Sequence, residues 1–152
     1  MKKIKALLLT ITITAMIMAA PAAARTEGIQ RQTYEKGLAM ADAQEKKVFL
    51  YFHADWCTYC KQMKATTFQD AELIKYLTDN FISIAVDSDH EKKIASSYGV
   101  RGLPTLWLLK ADAERLSSLP GFVNANRLIN VLKYIKTESY AKMSFGDFLE
   151  TI

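Results

Sequence analysis

The sequence predicts one α/β domain built on a mixed sheet flanked by helices, and three observations predict it. "KVFLYFHA" and "FISIAVDSD" are compact runs of β-branched and aromatic residues separated by helical segments. Strands separated in this way pair in parallel through a crossover. "TLWLLK" and "RLSSL" are divided only by the polar "ADAE", which gives an antiparallel hairpin instead. Half of the 152 residues are apolar, enough for a core that needs no disulfide support.

Residues 1–24 are expected to be a cleavable signal peptide. Lys2, Lys3 and Lys5 precede the apolar run Ala6 to Ala20, and Ala22-x-Ala24 suits a peptidase cutting before Arg25. The run is shorter than the roughly 18–20 residues of a spanning helix, so no stable membrane insertion is expected after cleavage. The chain carries 20 basic and 16 acidic residues, but three lysines lie in the signal. The remaining 17 against 16 leave a net +1, without the basic footprint of a nucleic-acid binder.

Residues 25–152 then form a single domain with its core at about 33–137 and a tail at 139–152. Arg25 to Gln32 reads as polar and frayed. Thr33 to Glu45 is expected to be helical, with Tyr34, Leu38 and Ala41 on one face. Lys47 to Ala54 is the first core strand, running directly into "DWCTYC". Cys57 to about Thr67 follows as a helix, and Asp70 caps another over Ala71 to Thr78. Phe81 to Asp87 is a strand, and His90 to Tyr98 a short helix ended by Gly99. After the hairpin, Pro120-Gly121 breaks the chain. Asn124 or Ala125 opens a helix to about Thr137, with Leu128, Val131, Leu132 and Ile135 on one face. In the tail, Tyr140, Phe145, Phe148 and Leu149 are spaced to pack a last helical turn onto the domain.

Cys57 and Cys60 are the only cysteines. Three roles are open to them: a structural staple, half of a metal site, or a redox couple. So short a loop gains little chain entropy, which makes a poor staple. Zinc needs about four ligands, and only His53 and His90 could join the cysteines. A redox couple fits best, and neither a metal nor another cofactor is expected.

"FHADWCTYCKQM", with "YGVRGLPTLWLL" whose Pro104 lies 47 positions after Cys57, resembles the thioredoxin superfamily over about residues 33–137. It looks most like periplasmic thioredoxin-like proteins and the C-terminal thioredoxin-like domain of the DsbD-type thiol:disulfide interchange family. The resemblance implies a thioredoxin fold with a central mixed sheet of four to five strands. It also implies thiol–disulfide exchange outside the cytoplasm. Cys57 would be the attacking thiol at a helix N-terminus, where unpaired N–H groups favour the thiolate. Cys60 would be the resolving thiol. Trp56 would form the rim of the site, and Thr58 and Tyr59 would tune the couple. Pro104 would be the family's cis-proline, exposing the backbone of Leu103 to an extended substrate strand. Gly121 falls where the family has a glycine before its last helix.

Two departures bear on direction. Many family members carry a buried acid six positions before the first cysteine, where this chain has Tyr51, so the general base is unassigned. The most similar-looking family has a carboxylate seven positions after it, where this chain has Lys64. A cation there favours the thiolate, and a stabilised thiolate makes the disulfide a better oxidant. The implied protein is a monomer that reduces disulfides of periplasmic client proteins and is recharged by a membrane thiol electron donor. An oxidant or isomerase of the same fold, or a chaperone-like binding module, are the alternatives.

Overall fold

The computed structural model describes residues 28–152; the expected signal at 1–24 lies outside the described residues. Five strands form one sheet: β1 (Arg31–Gln32), β2 (Lys47–His53), β3 (Phe81–Asp87), β4 (Thr105–Leu109) and β5 (Arg115–Pro120), in the order β1-β3-β2-β4-β5. β2 pairs in parallel with β3 from Lys47↔Phe81 to His53↔Asp87, and antiparallel with β4. The parallel half and the β4–β5 hairpin are those the sequence predicts.

Helices cover both faces, so β2 lacks polar alternation: Val48 through Phe52 are all buried. Successive side chains nonetheless go to opposite sides. Phe49 and Tyr51 join one core with Cys57, Cys60, Met63 and Phe68, whereas Val48, Leu50 and Phe52 join a second.

The described part of the segment expected to fray, from residue 28 on, is instead anchored. Ile29 is buried, and β1 adds to the edge of β3 through Arg31↔Ser83 and Gln32↔Ile84. Two paired residues show no periodicity in a sequence; the open edge of β3 organises them.

Helix α1 (Tyr34–Gln44) ends where Glu45 turns left-handed, and packs Tyr34, Leu38 and Ala41 as expected. Gly37 lies against Ile84 of the sheet. A Cβ there would fall 2.3 Å from Ile84 Cγ1, so only glycine fits.

α2 (Thr58–Ala65) is shorter than expected at both ends. Cys57 is its N-cap, and a separate 3-10 turn follows at Thr67–Gln69. Thr66 leaves helical geometry, and Thr67 Oγ1 donates to Val123 O at 2.8 Å, tying the turn to the segment that follows β5. Asp70 caps α3 (Ala71–Asn80) through Leu73 N, as expected, and the helix runs two residues past Thr78. α4 (Lys92–Ser97) starts later than His90, because Asp87 Oδ1 accepts from the Asp89 and His90 amides and holds them in a turn. It ends before Gly99, at φ 64°.

α5 (Ala125–Lys136) is capped by Asn124 and buries Leu128, Val131, Leu132 and Ile135. The tail adds a 3-10 turn (Ser139–Ala141) and α6 (Phe145–Leu149), the latter started by a Ser144/Asp147 capping box. Tyr134 gathers this tail. Its hydroxyl donates to Met143 O at 2.6 Å, and its ring meets Tyr140, Phe145 and Phe148. Leu149 does not join them; a five-residue helix presents one narrow face, and Phe148 occupies it while Leu149 stays exposed.

Candidate active site

The site stands at the carboxyl end of β2, where open α/β sheets commonly place chemistry. The strand passes through buried Ala54 into an exposed Asp55-Trp56 turn, closed by Cys57 N donating to Ala54 O at 3.2 Å. Cys57 Sγ then accepts from Cys60 N at 3.1 Å, the bond an N-cap side chain makes. Cys57 and Cys60 form a disulfide with Cα atoms 5.2 Å apart. Cys60 is fully buried and Cys57 is 3% exposed. The residues around them are open: Trp56 is 67% and Tyr59 59% exposed, and Thr58 is exposed as well.

Trp56 is held rather than loose, since Nε1 donates to Asp89 Oδ2 at 2.8 Å. With Ser88, Lys92 and the Arg101–Leu103 segment it lines a groove of about 350 Å³. Leu103 also packs against the core that contains both cysteines. The Leu103–Pro104 peptide bond is cis, and Pro104 O accepts from Gly121 N at 2.7 Å. Cys57, Cys60, Trp56 and Leu103 are therefore brought together at one end of the sheet. Thr58 and Tyr59 stand on the exposed first turn of α2, outside the residues lining that groove.

Beneath the pair, Tyr51 occupies the place of the acid. Its hydroxyl donates to Cys60 O over 3.5 Å, and burial pushes its pKa up to about 12 against the pull of Arg31. The His53 ring stacks on Tyr51 at 5.1 Å. Arg31 spans from β1 to lie 4.4 Å from the Phe68 ring centre and 5.5 Å from that of Tyr51. Sequence reasoning missed both Arg31 and Asp89. Neither stands in a motif, and each reaches the site only because β3 brings its neighbourhood beside β2.

One ligand atom each from His53, Asp55 and Asp87 lie within 4.8 Å of one another. That carboxylate of Asp87 is already used: it accepts from two backbone amides and approaches His90 Nδ1 at 3.1 Å. Those hydrogen bonds, with the charge of the His90 ring, hold Asp87 below the usual carboxylate value although burial works in the other direction.

Burial lowers the His53 pKa from 6.5; Lys64 and Arg31 push the same way, opposed by Asp87 and Asp55. The unfolded chain therefore binds more protons here just below pH 6.5, so stability rises with pH in that window and is lost as pH falls towards the folded value. His53→Phe keeps a ring on Tyr51 and removes the titration. Urea midpoints of the oxidised domain should fall between about pH 7 and about pH 5 in the parent, and the substitution should flatten that fall. Parallel slopes in both proteins would contradict the assignment.

A five-stranded mixed sheet with a disulfide-bonded C-x-x-C at a strand-to-helix turn defines the class: the family of thioredoxin-like thiol:disulfide oxidoreductases. The profile of the thioredoxin-like domain matches residues 34–136, and the chain belongs to that family. It is 31% identical over 101 residues to the thiol:disulfide interchange protein DsbD of Photorhabdus laumondii, a match covering 63% of this chain and 18% of that protein. The chain thus spans less than a fifth of this relative's length. Among solved structures, a Thermus thermophilus thioredoxin matches with TM-score 0.65 and 29% identity, over 71% of this chain and 87% of that one. The reduced C-terminal domain of Neisseria meningitidis DsbD matches with TM-score 0.56 and 29% identity, over 65% and 90%.

Proposed function

We propose that the chain is an exported, monomeric oxidoreductase that reduces disulfides in periplasmic client proteins through Cys57 and Cys60. The observation that carries this reading is the sulfur of Cys57 in the N-cap of α2, bonded to the Cys60 amide. The same N–H that caps the helix can stabilise a thiolate. In the reduced protein, Cys57 thiolate attacks a client disulfide, forming a mixed disulfide and expelling one client thiolate, which takes up a proton. Cys60 then loses its proton and attacks Cys57 Sγ, releasing the second client thiol. Two electrons pass to the client, and the protein is left with its own disulfide.

Trp56 and Leu103 line the groove in which a client strand would lie. Leu103 offers backbone groups beside Pro104, while Thr58 and Tyr59 present the exposed face of the motif. Residues 1–24 would direct export and be removed. No helix among the described residues is long and apolar enough to cross a membrane. Recharging then falls to a membrane dithiol donor, a reading supported by similarity to DsbD. Tyr51 and Lys64 favour a second reading, the same chemistry run as an oxidant, since neither supplies a negative charge beneath the pair.

The test is a Cys60→Ser variant expressed with its leader. Without the resolving thiol, mixed disulfides at Cys57 should accumulate and be visible as high-mass bands under non-reducing conditions, lost on adding reductant. An empty lane from a folded, exported variant would sink the exchange reading.

A further inference from the structure

Arg31 is the anomaly of this site. It comes from a two-residue edge strand, yet its Nε and Nη2 are buried and have no hydrogen-bond partner among the described residues. The described residues also give it no carboxylate partner in an ion pair. Its contacts are the faces of Phe68 and Tyr51. The residue is half-buried, and burying two guanidinium nitrogens without an anion is still costly; stacking on rings offsets only part of that cost. Arginine does not escape by deprotonating: burial lowers its pKa, but the side chain stays charged in proteins.

Room for this placement is built into the sheet. Arg31 pairs with Ser83, and the next β3 residue on that face is Ala85, the partner of Tyr51. Over these two small side chains the arginine reaches across β3 to the tyrosine. Tyr51 in turn touches Cys60 through its hydroxyl, so Arg31 and the resolving cysteine flank one side chain. Around them are His53 on β2, Asp55 in the turn, Lys64 on α2 and Asp87 on β3, the charged and titratable groups that act on His53 together with Arg31. Asp87 is taken up with the loop amides and with His90, and Asp55 lies in the exposed turn.

In the disulfide state neither sulfur carries charge. Opening the bond with two electrons yields a thiolate on Cys57 and, with one proton, a thiol on Cys60. We infer that Arg31 is the buried countercharge for this thiolate, a positioning residue that stabilises the reduced form from beneath Tyr51. The inference rests on the redox reading of the pair above. It makes the couple less reducing than one with an acid beneath its cysteines, and keeps Cys57 nucleophilic at neutral pH. A donor role survives this shift as long as client disulfides lie at higher potential.

The experiment equilibrates the domain spanning residues 25–152 with graded ratios of reduced to oxidised glutathione, alongside the pH profile of Cys57 alkylation. Arg31→Met keeps an apolar side chain on Phe68 and removes the charge. It should lower the equilibrium constant for reduction about tenfold, equal to about 30 mV, and move the alkylation midpoint to higher pH. Arg31→Lys keeps the charge and should stay near the parent in both. If Arg31→Met does not fold, Arg31→Gln takes its place with the same expected loss. An arginine that only braced the sheet edge would change thermal unfolding and leave the constant and midpoint unmoved, which would overturn the inference. So would Arg31→Lys falling as far as the neutral variant. Failure of the parent to exchange with glutathione at any ratio is a different result: it refutes the redox function itself and the inference with it.

Discussion

Cys57→Ser should cost on the order of a thousandfold or more in disulfide-reductase turnover, the scale of losing a nucleophile. A hydroxyl is far from ionised at neutral pH, and the amide of Cys60 that supports the sulfur cannot compensate for this. Turnover would be followed by insulin reduction with a dithiol donor. The fold should survive, because the lost cross-link spans three positions and closes a very short loop. The same variant separates classes of function. A chaperone or binding module would keep its activity when Cys57 is replaced, whereas an oxidoreductase would not. Retained reductase turnover in the serine variant would mean that the described pair is not the reacting centre.

The largest effect on stability is expected at Phe49, with Phe49→Ala losing about 3–5 kcal/mol. Phe49 sits in the middle of β2, beside Ser83 of β3 on one side and Leu108 of β4 on the other, and is completely buried. Its ring meets Phe68 edge-to-face at 6.2 Å, within the core that also holds Cys57, Cys60 and Met63. Sheet and helices are tied too firmly here for the space to close, so cavity and transfer costs add. Thermal unfolding of the oxidised domain should shift down by on the order of 10 °C or more. A shift of only a degree or two would show that α2 and the Thr67–Gln69 turn can collapse onto the gap.

The two effects are coupled through one strand. β2 supplies the core with Phe49 and Tyr51 and then delivers the chain into the Cys57 turn, so the rigidity of the site derives from burial on both faces of the sheet. This is also why Trp56 in the turn and Tyr59 on α2 can be exposed without being loose: Trp56 is bonded to Asp89, and α2 is capped by the cysteine itself.

Much of this was determined by the sequence alone, because it depends on local patterns. Runs such as "KVFLYFHA" and "FISIAVDSD" specify buried strands through composition, Asp70 and Asn124 specify helix starts through side-chain caps, and the five residues between β4 and β5 allow only a hairpin. The C-x-x-C motif likewise carries its chemistry within one helical turn. What only the tertiary structure decided is non-local. β1 exists because β3 offers an open edge, Gly37 is required because Ile84 lies against it, and Leu149 is left outside because Phe148 fills the one covered face. Above all, the sequence shows that Tyr51 replaces an acid but not what surrounds it. Arg31, 20 positions earlier in the chain, becomes its neighbour only when a two-residue strand docks across Ser83 and Ala85. The electrostatics of a buried site are set by charges adjacent in space, and spacing along the chain does not encode that adjacency.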